Sequence, residues 1–180
     1  MKKLILASLV ALGVLMGSSQ ATYALPGAVP STYSLKEGDV VGASTYGDPD
    51  LFIINELGYK RLFLNPKIFS FYGHLGGFSK VKPISVTARD QFETSLLFKN
   101  CETNDPRIWA LEVTSEDGGT LHYINMSGTA ASQQDANIFV KTFCINNNEF
   151  NWYQKGTDYT SLSQVQSYNR NVSPVSQYIP

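Results

Sequence analysis

The residues with chemical potential in this chain are few and far apart. Two cysteines, Cys101 and Cys144, two histidines, His74 and His122, and the acidic pair Glu116-Asp117 make up the set. Cysteine thiols 43 positions apart suit a disulfide in an oxidising compartment. Closing such a loop is worth about 4 kcal/mol of unfolded-state entropy. Neither the cysteines nor the histidines show a zinc spacing such as Cys-x-x-Cys, so no metal and no cofactor is expected.

His74 lies in Tyr72-Gly73-His74-Leu75-Gly76-Gly77, where the glycines let a ligand or a backbone come close. A histidine there is either a general base or a donor to the last carbonyls of a helix, and capping is the expectation. His122, between Leu121 and Tyr123, faces away from both in a strand and reads as a surface or cross-strand residue. Glu116-Asp117 precede Gly118-Gly119 and read as solvated turn formers. The chain carries no Gly-x-Ser-x-Gly elbow, His-Glu-x-x-His or phosphate loop.

Position 48 onward supplies the element that must hold these groups. Leu51-Phe52-Ile53-Ile54 is apolar and β-branched, Asn55 to Gly58 turns it, and Lys60 to Leu64 returns, which predicts a hairpin. Asn65-Pro66 then starts a short helix, and Ile68, Phe71 and Tyr72 form its apolar stripe, with Gly73 as the stop. Phe78 to Ile84 is expected to run extended, which makes the unit β-β-α-β. Asp105-Pro106 precedes Ile108 to Leu111 as Asp48-Pro49 precedes Leu51-Phe52, and Leu121 to Asn125 follows Arg61 to Asn65 at an offset of 60. The chain therefore reads as a small, β-rich α+β domain of two degenerate β-β-α-β units with short helices. The competing account is two unrelated hairpins that share turn residues and aromatic strands.

Between and after the units, Thr87 is expected to cap a helical turn to Phe92, and Leu96 to Cys101 to be extended. Ser127 or Thr129 can cap a helix through Gln134. Ile138 to Val140 and Phe143 to Ile145 read as strands, Asn146 to Asn148 as a turn, and Phe150, Trp152 and Tyr153 as a final strand on the core.

Gly58-Tyr59-Lys60-Arg61-Leu62-Phe63-Leu64-Asn65, with the companion strand Gly119 to Ile124, resembles a small repeat of secreted surface proteins from small-genome candidate-phyla bacteria. The resemblance covers Gly38 to Tyr153. Tyr72 to Phe78 and the cysteines depart from the repeat's usual form. No catalytic residues come with it, but it implies an envelope setting.

Lys2-Lys3, the apolar run Leu4 to Met16 and small residues from Ser18 to Ala24 make residues 1–24 a secretory signal peptide, cleaved after Ala21 or Ala24. No other run reaches the roughly 20 apolar residues of a membrane helix. Cleavage at Ala24 removes Lys2 and Lys3 and leaves 12 basic against 15 acidic residues, a net charge of −3 that argues against nucleic acid as partner. Residues 25–36 are expected to form an extended leader, 37–156 the folded domain, and 157–180 a disordered Ser/Gln/Asn-rich tail. Only 16% of residues are charged while 12% are aromatic, a composition compatible with glycan contact.

Lys60, Arg61, Tyr72, His74 and Phe78 are the candidate binding residues. The expected function is a secreted, non-catalytic binding or assembly module at the bacterial cell envelope. The alternatives are a small hydrolase using His74 and a self-associating surface-layer component.

Overall fold

The computed structural model describes residues 28–44, 47–115 and 117–168. The signal-peptide reading of residues 1–24 lies outside them, as does the chain beyond residue 168.

The fold is α+β, with two mixed five-stranded sheets. The first contains β1 (Val40–Ala43), β2 (Leu51–Ile54), β3 (Tyr59–Phe63), β4 (Lys82–Ile84) and β5 (Glu93–Thr94), in the order β4-β1-β2-β3-β5. Helix α1 (Pro66–Ser70) connects β3 towards β4, and α2 (Val86–Arg89) joins β4 to β5. The second contains β6 (Leu97–Asn100), β7 (Trp109–Val113), β8 (Gly119–Tyr123), β9 (Phe143–Ile145) and β10 (Gln154–Lys155), in the order β10-β8-β7-β6-β9. Here α3 (Gly128–Gln134) and α4 (Ile138–Lys141) lie between β8 and β9, and α5 (Asn147–Trp152) between β9 and β10.

Both sheets follow one plan. Three strands form an antiparallel meander, the fourth adds parallel to the first, and the fifth adds parallel to the third. The registers agree as well. Shifting β1 and β2 by 57 positions and β3, β4 and β5 by 61 turns every pairing of the first sheet except the two of Leu51 into one of the second. Val40 opposite Ile53 becomes Leu97 opposite Ala110, and Val41 beside Lys82 becomes Phe98 beside Phe143. Phe52 opposite Leu62 becomes Trp109 opposite Tyr123, and Tyr59 beside Glu93 becomes Thr120 beside Gln154.

Backbone hydrogen bonds at the sheet margins obey the same shifts. Ser44 N donates to Ile84 O at 2.8 Å and Cys101 N to Ile145 O at 3.1 Å; Ser95 N donates to Lys60 O at 2.8 Å and Gly156 N to Leu121 O at 2.9 Å. The shift is thus not the constant 60 of the sequence reading, because the second hairpin is longer by four residues between matched ladder positions. Each sheet also contains a first strand and a further helix-strand pair that the β-β-α-β reading did not include.

Local chemistry explains the shared elements. Asn55 Oδ1 accepts from Leu57 N and Tyr59 N while Gly58 takes φ 87°, which closes the first hairpin. Asx turns open β2 and β7: Asp50 N donates to Asp48 Oδ1 and Arg107 N to Asp105 Oδ1. Side-chain oxygens of Asn65 and Ser127 cap α1 and α3, and those of Ser85 and Asn146 cap α2 and α5.

Several elements differ from the sequence reading. α1 ends at Ser70, Gly73 opens a 3-10 turn (Gly73–Leu75), and Phe78–Lys80 is a second 3-10 turn rather than strand. Ser85 caps α2, not Thr87. Ile138–Lys141 is helical, with Lys141 N donating to Asn137 O at 2.9 Å, which a short apolar run does not reveal. Asn146 caps Glu149 N, so the expected turn and final strand are the helix α5. In place of an extended leader, Pro30–Tyr33 is a 3-10 helix, Ala28 and Leu35 are buried, and Tyr33 packs 5.6 Å from Phe92.

The expected tail also folds back as far as Tyr168. Tyr159 bridges Ile124, Leu162 and Val165 pack on the small cluster of Leu97, Ala110, Ile124, Ala131 and Ile138, and Tyr168 meets Phe52 edge-on at 6.3 Å. Its few apolar residues are spaced to reach pockets of the sheet, which composition averages away. One larger cluster, from Val41, Phe52 and Leu62 to Phe98, Trp109 and Leu121, takes side chains from both sheets. Among the described residues no helix is long and apolar enough to cross a membrane.

Candidate functional site

The disulfide expected from the sequence is present. Cys101, one residue past β6, joins Cys144 of β9 with 5.4 Å between their Cα atoms. It staples the parallel β6/β9 edge of the second sheet.

The candidate binding residues do not form one site. Arg61 is 1% exposed and donates from Nη1 to Glu149 Oε1 at 2.8 Å. Its guanidinium lies 4.4 Å from the Phe63 ring and 5.1 Å from that of Tyr72. Tyr72 OH donates to the other oxygen of Glu149, and Tyr153 OH donates to Oε1 at 3.3 Å. Burial raises both tyrosine hydroxyls above their ordinary range, so they stay protonated donors. Glu149 is fully buried, and the group ties β3 of the first sheet to α5 of the second. Arg61 and Tyr72 therefore form an internal clamp, not a ligand surface.

His74 and Phe78 are exposed. The His74 ring approaches that of Tyr72 at 5.9 Å and makes no hydrogen bond among the described residues, so it does not cap carbonyls. His122 is a cross-strand residue but buried. Its Nε2 is 2.9 Å from Glu112 Oε2, its Nδ1 is 2.7 Å from Thr157 O, and its ring stacks on Tyr159 at 4.2 Å.

Lys60 lines a cavity. A volume of about 660 Å³ opens between β3, the α2–β5 connection, the entrance to β6, α4 and the strap formed by residues 162–168. Phe52 and Phe92 form apolar wall and Tyr168 stands at the strap side. Such a volume lies within the roughly 300–1,000 Å³ of small-molecule sites. Sequence reasoning missed it because its walls come from five separate segments.

The cations of this cavity are already engaged. Lys60, only 4% exposed, donates from Nζ to Arg89 O at 3.0 Å and to Phe92 O, and burial pushes its pKa down to about 8. Arg89 binds Asp48 through Nη1 at 2.5 Å and Asp90 through Nε at 2.9 Å, which leaves Nη2 without a hydrogen bond among the described residues. Lys141 Nζ sits 2.9 Å from both Glu93 Oε1 and Asp135 Oδ2. No cluster of described residues could hold a metal ion.

The matched place in the second sheet is filled. There Phe52, Asp50 and Arg89 correspond to Trp109, Arg107 and Phe150. The Trp109 and Phe150 rings pack at 5.3 Å, and Arg107 lies 5.2 Å over Trp109.

No protein-family model matches this chain, and neither does any curated protein or solved structure.

Proposed function

We propose that this chain is a secreted, non-catalytic binding or assembly module of the cell envelope, built from two copies of one unit. In this reading the unit is β-β-β-α-β-α-β, with one further helix in the second copy, and the first copy keeps an open pocket while the second has closed its own. The observation that carries the proposal is the 660 Å³ cavity beside Phe52, set against the Trp109–Phe150 packing at the matched place. Two sheets that agree in order, register and marginal hydrogen bonds share more than hairpin chemistry alone supplies. Export is supported by the charge and apolar pattern of residues 1–24, by the Cys101–Cys144 bond and by the resemblance to envelope repeats.

Co-sedimentation of the mature protein with purified envelope fractions tests it. Ser167→Trp, at an exposed strap position lining the cavity, should lower binding at least tenfold while the melting temperature stays constant. Undiminished binding of a folded Ser167→Trp protein would remove the cavity from the function. Turnover of envelope material would replace a binding module with an enzyme.

A further inference from the structure

The cavity's own hydrogen-bonding balance points to its ligand, and this step rests on the binding reading above. We infer that it takes a hydroxyl-rich, non-anionic sugar residue of an envelope glycan. Four carboxylates, Asp50, Asp90, Glu93 and Asp135, line it against three cations, Lys60, Arg89 and Lys141. Each cation is held within the protein: Lys60 by two carbonyls, Arg89 by Asp48 and Asp90, Lys141 by Glu93 and Asp135. An anionic ligand would therefore meet surplus carboxylate and no free ammonium.

The side chains of Asp90 and Glu93 are about half exposed, at 55% and 49%, and each spends one oxygen on its cation. The other oxygens accept from a ligand, while Nη2 of Arg89 is a donor held in place by the two bonds of its own guanidinium. Hydroxyl groups serve acceptors and donors alike, so adjacent hydroxyls on one ring satisfy both kinds of wall. A hydrocarbon would strand these polar groups. Leu162, Val165 and Tyr168, each half-buried on the strap, supply the apolar surface that the C–H face of a sugar ring covers. A pyranose presents these two surfaces together, one polar rim and one apolar face.

The test is binding of the full mature protein to a printed array of neutral, amine-bearing and acidic oligosaccharides, followed by calorimetry with the best binder. Neutral or amine-bearing glycans should bind at least tenfold tighter than acidic ones of equal length. Asp90→Asn with Glu93→Gln should weaken the best binder at least tenfold without changing the circular dichroism spectrum. Preference for acidic glycans, or affinity untouched by the double variant, overturns the assignment. If no glycan binds yet envelope co-sedimentation persists and falls with Ser167→Trp, the sugar assignment fails while the binding module stands. If co-sedimentation is absent too, both fail.

Discussion

The two sheets solve the same local problems with different residues, which separates what the backbone plan demands from what each half has chosen. Around the C-terminal ends of α2 and α5 two carbonyls accept from a lysine ammonium. In the first half these are Arg89 O and Phe92 O, filled from inside by Lys60 of β3; in the second they are the matched Phe150 O and Tyr153 O, filled from outside by Lys155 of β10. Both fourth strands form a short parallel edge. The first holds it with Lys82 Nζ 2.6 Å from Asp39 Oδ2, and the second with a disulfide at positions where the first has Ser44 and Pro83. An ammonium placed inside leaves polar wall around Phe52, whereas one placed outside lets Trp109 and Phe150 meet. The choice of lysine thus accompanies the choice between cavity and core.

The sharpest break of the comparison is the clamp, which has no counterpart in the other half. Arg61 corresponds to His122 and Glu149 to Ala88. Glu149→Ala copies the first half's residue but leaves Arg61 charged and dry, and should cost about 3–5 kcal/mol in denaturant unfolding. The double variant Arg61→Leu with Glu149→Ala removes both charges and should recover most of that loss. A loss from Glu149→Ala below about 1 kcal/mol would mean that the clamp does not join the halves.

Replacing Cys101 by Ser and Cys144 by Ala gives the second half an unstapled edge like the first. About 2–4 kcal/mol should disappear, because a bond closing 43 residues mainly restricts the unfolded chain. Unfolding by guanidinium of this variant and of reduced wild type should agree. A variant as stable as the oxidised wild type would show that the β6/β9 ladder holds unaided.

Much of this comparison was legible in the sequence, and the remainder failed for identifiable reasons. The Asn55–Gly58 hairpin, the Asn65 and Ser127 caps and the cysteine pair are local or spacing signals, and each stands where it was read. The aromatic pattern of Phe150 to Tyr153 suggested a strand because alternation over four residues does not separate period 2 from a short helix. Asn146, read as turn, held the deciding cap. The offset of 60 matched Arg61 with Leu121, both buried and apolar-flanked, but the longer second hairpin makes the true counterpart His122. Lys60 and Arg61 read as binding residues because nothing near them in sequence announces Glu149 or the carbonyls of Arg89 and Phe92. The cavity needed tertiary closure by the strap, whose residues composition had assigned to disorder.

The inner lysine should make stability depend on pH. The pKa of Lys60 is depressed to about 8 in the fold, against the ordinary 10.5, so between these values the unfolded chain binds more protons. Stability attributable to this group therefore rises from about pH 8 to 10.5, and the contribution of its neutral form is lost as pH falls through 8. Lys60→Met should cost about 1–3 kcal/mol at pH 7, because Phe92 O loses its ammonium donor and Arg89 O keeps only Phe92 N. The difference between wild type and Lys60→Met should grow in favour of wild type across pH 8 to 10.5 in equilibrium unfolding. A difference independent of pH would show that the ammonium is not desolvated in the fold.

The smallest expected effect is at Lys155, and its size decides whether inside and outside caps are equivalent. Lys155 Nζ contacts Phe150 O at 2.5 Å and Tyr153 O at 2.8 Å and lies 4.0 Å over the Phe150 ring, yet the residue itself is exposed. Water can replace an exposed donor at little cost, so Lys155→Met should lose about 0.3–1 kcal/mol, the range for a cation at an exposed helix C-terminus. Raising the salt concentration should shrink this loss further, whereas the effect of Lys60→Met should hardly respond because its surroundings exclude ions. Paired urea titrations of the two variants at low and high salt measure the contrast directly. Equal losses with equal salt dependence would mean that the two lysines sit in equivalent environments, and that the inner position of Lys60 is not what separates the open half from the filled one.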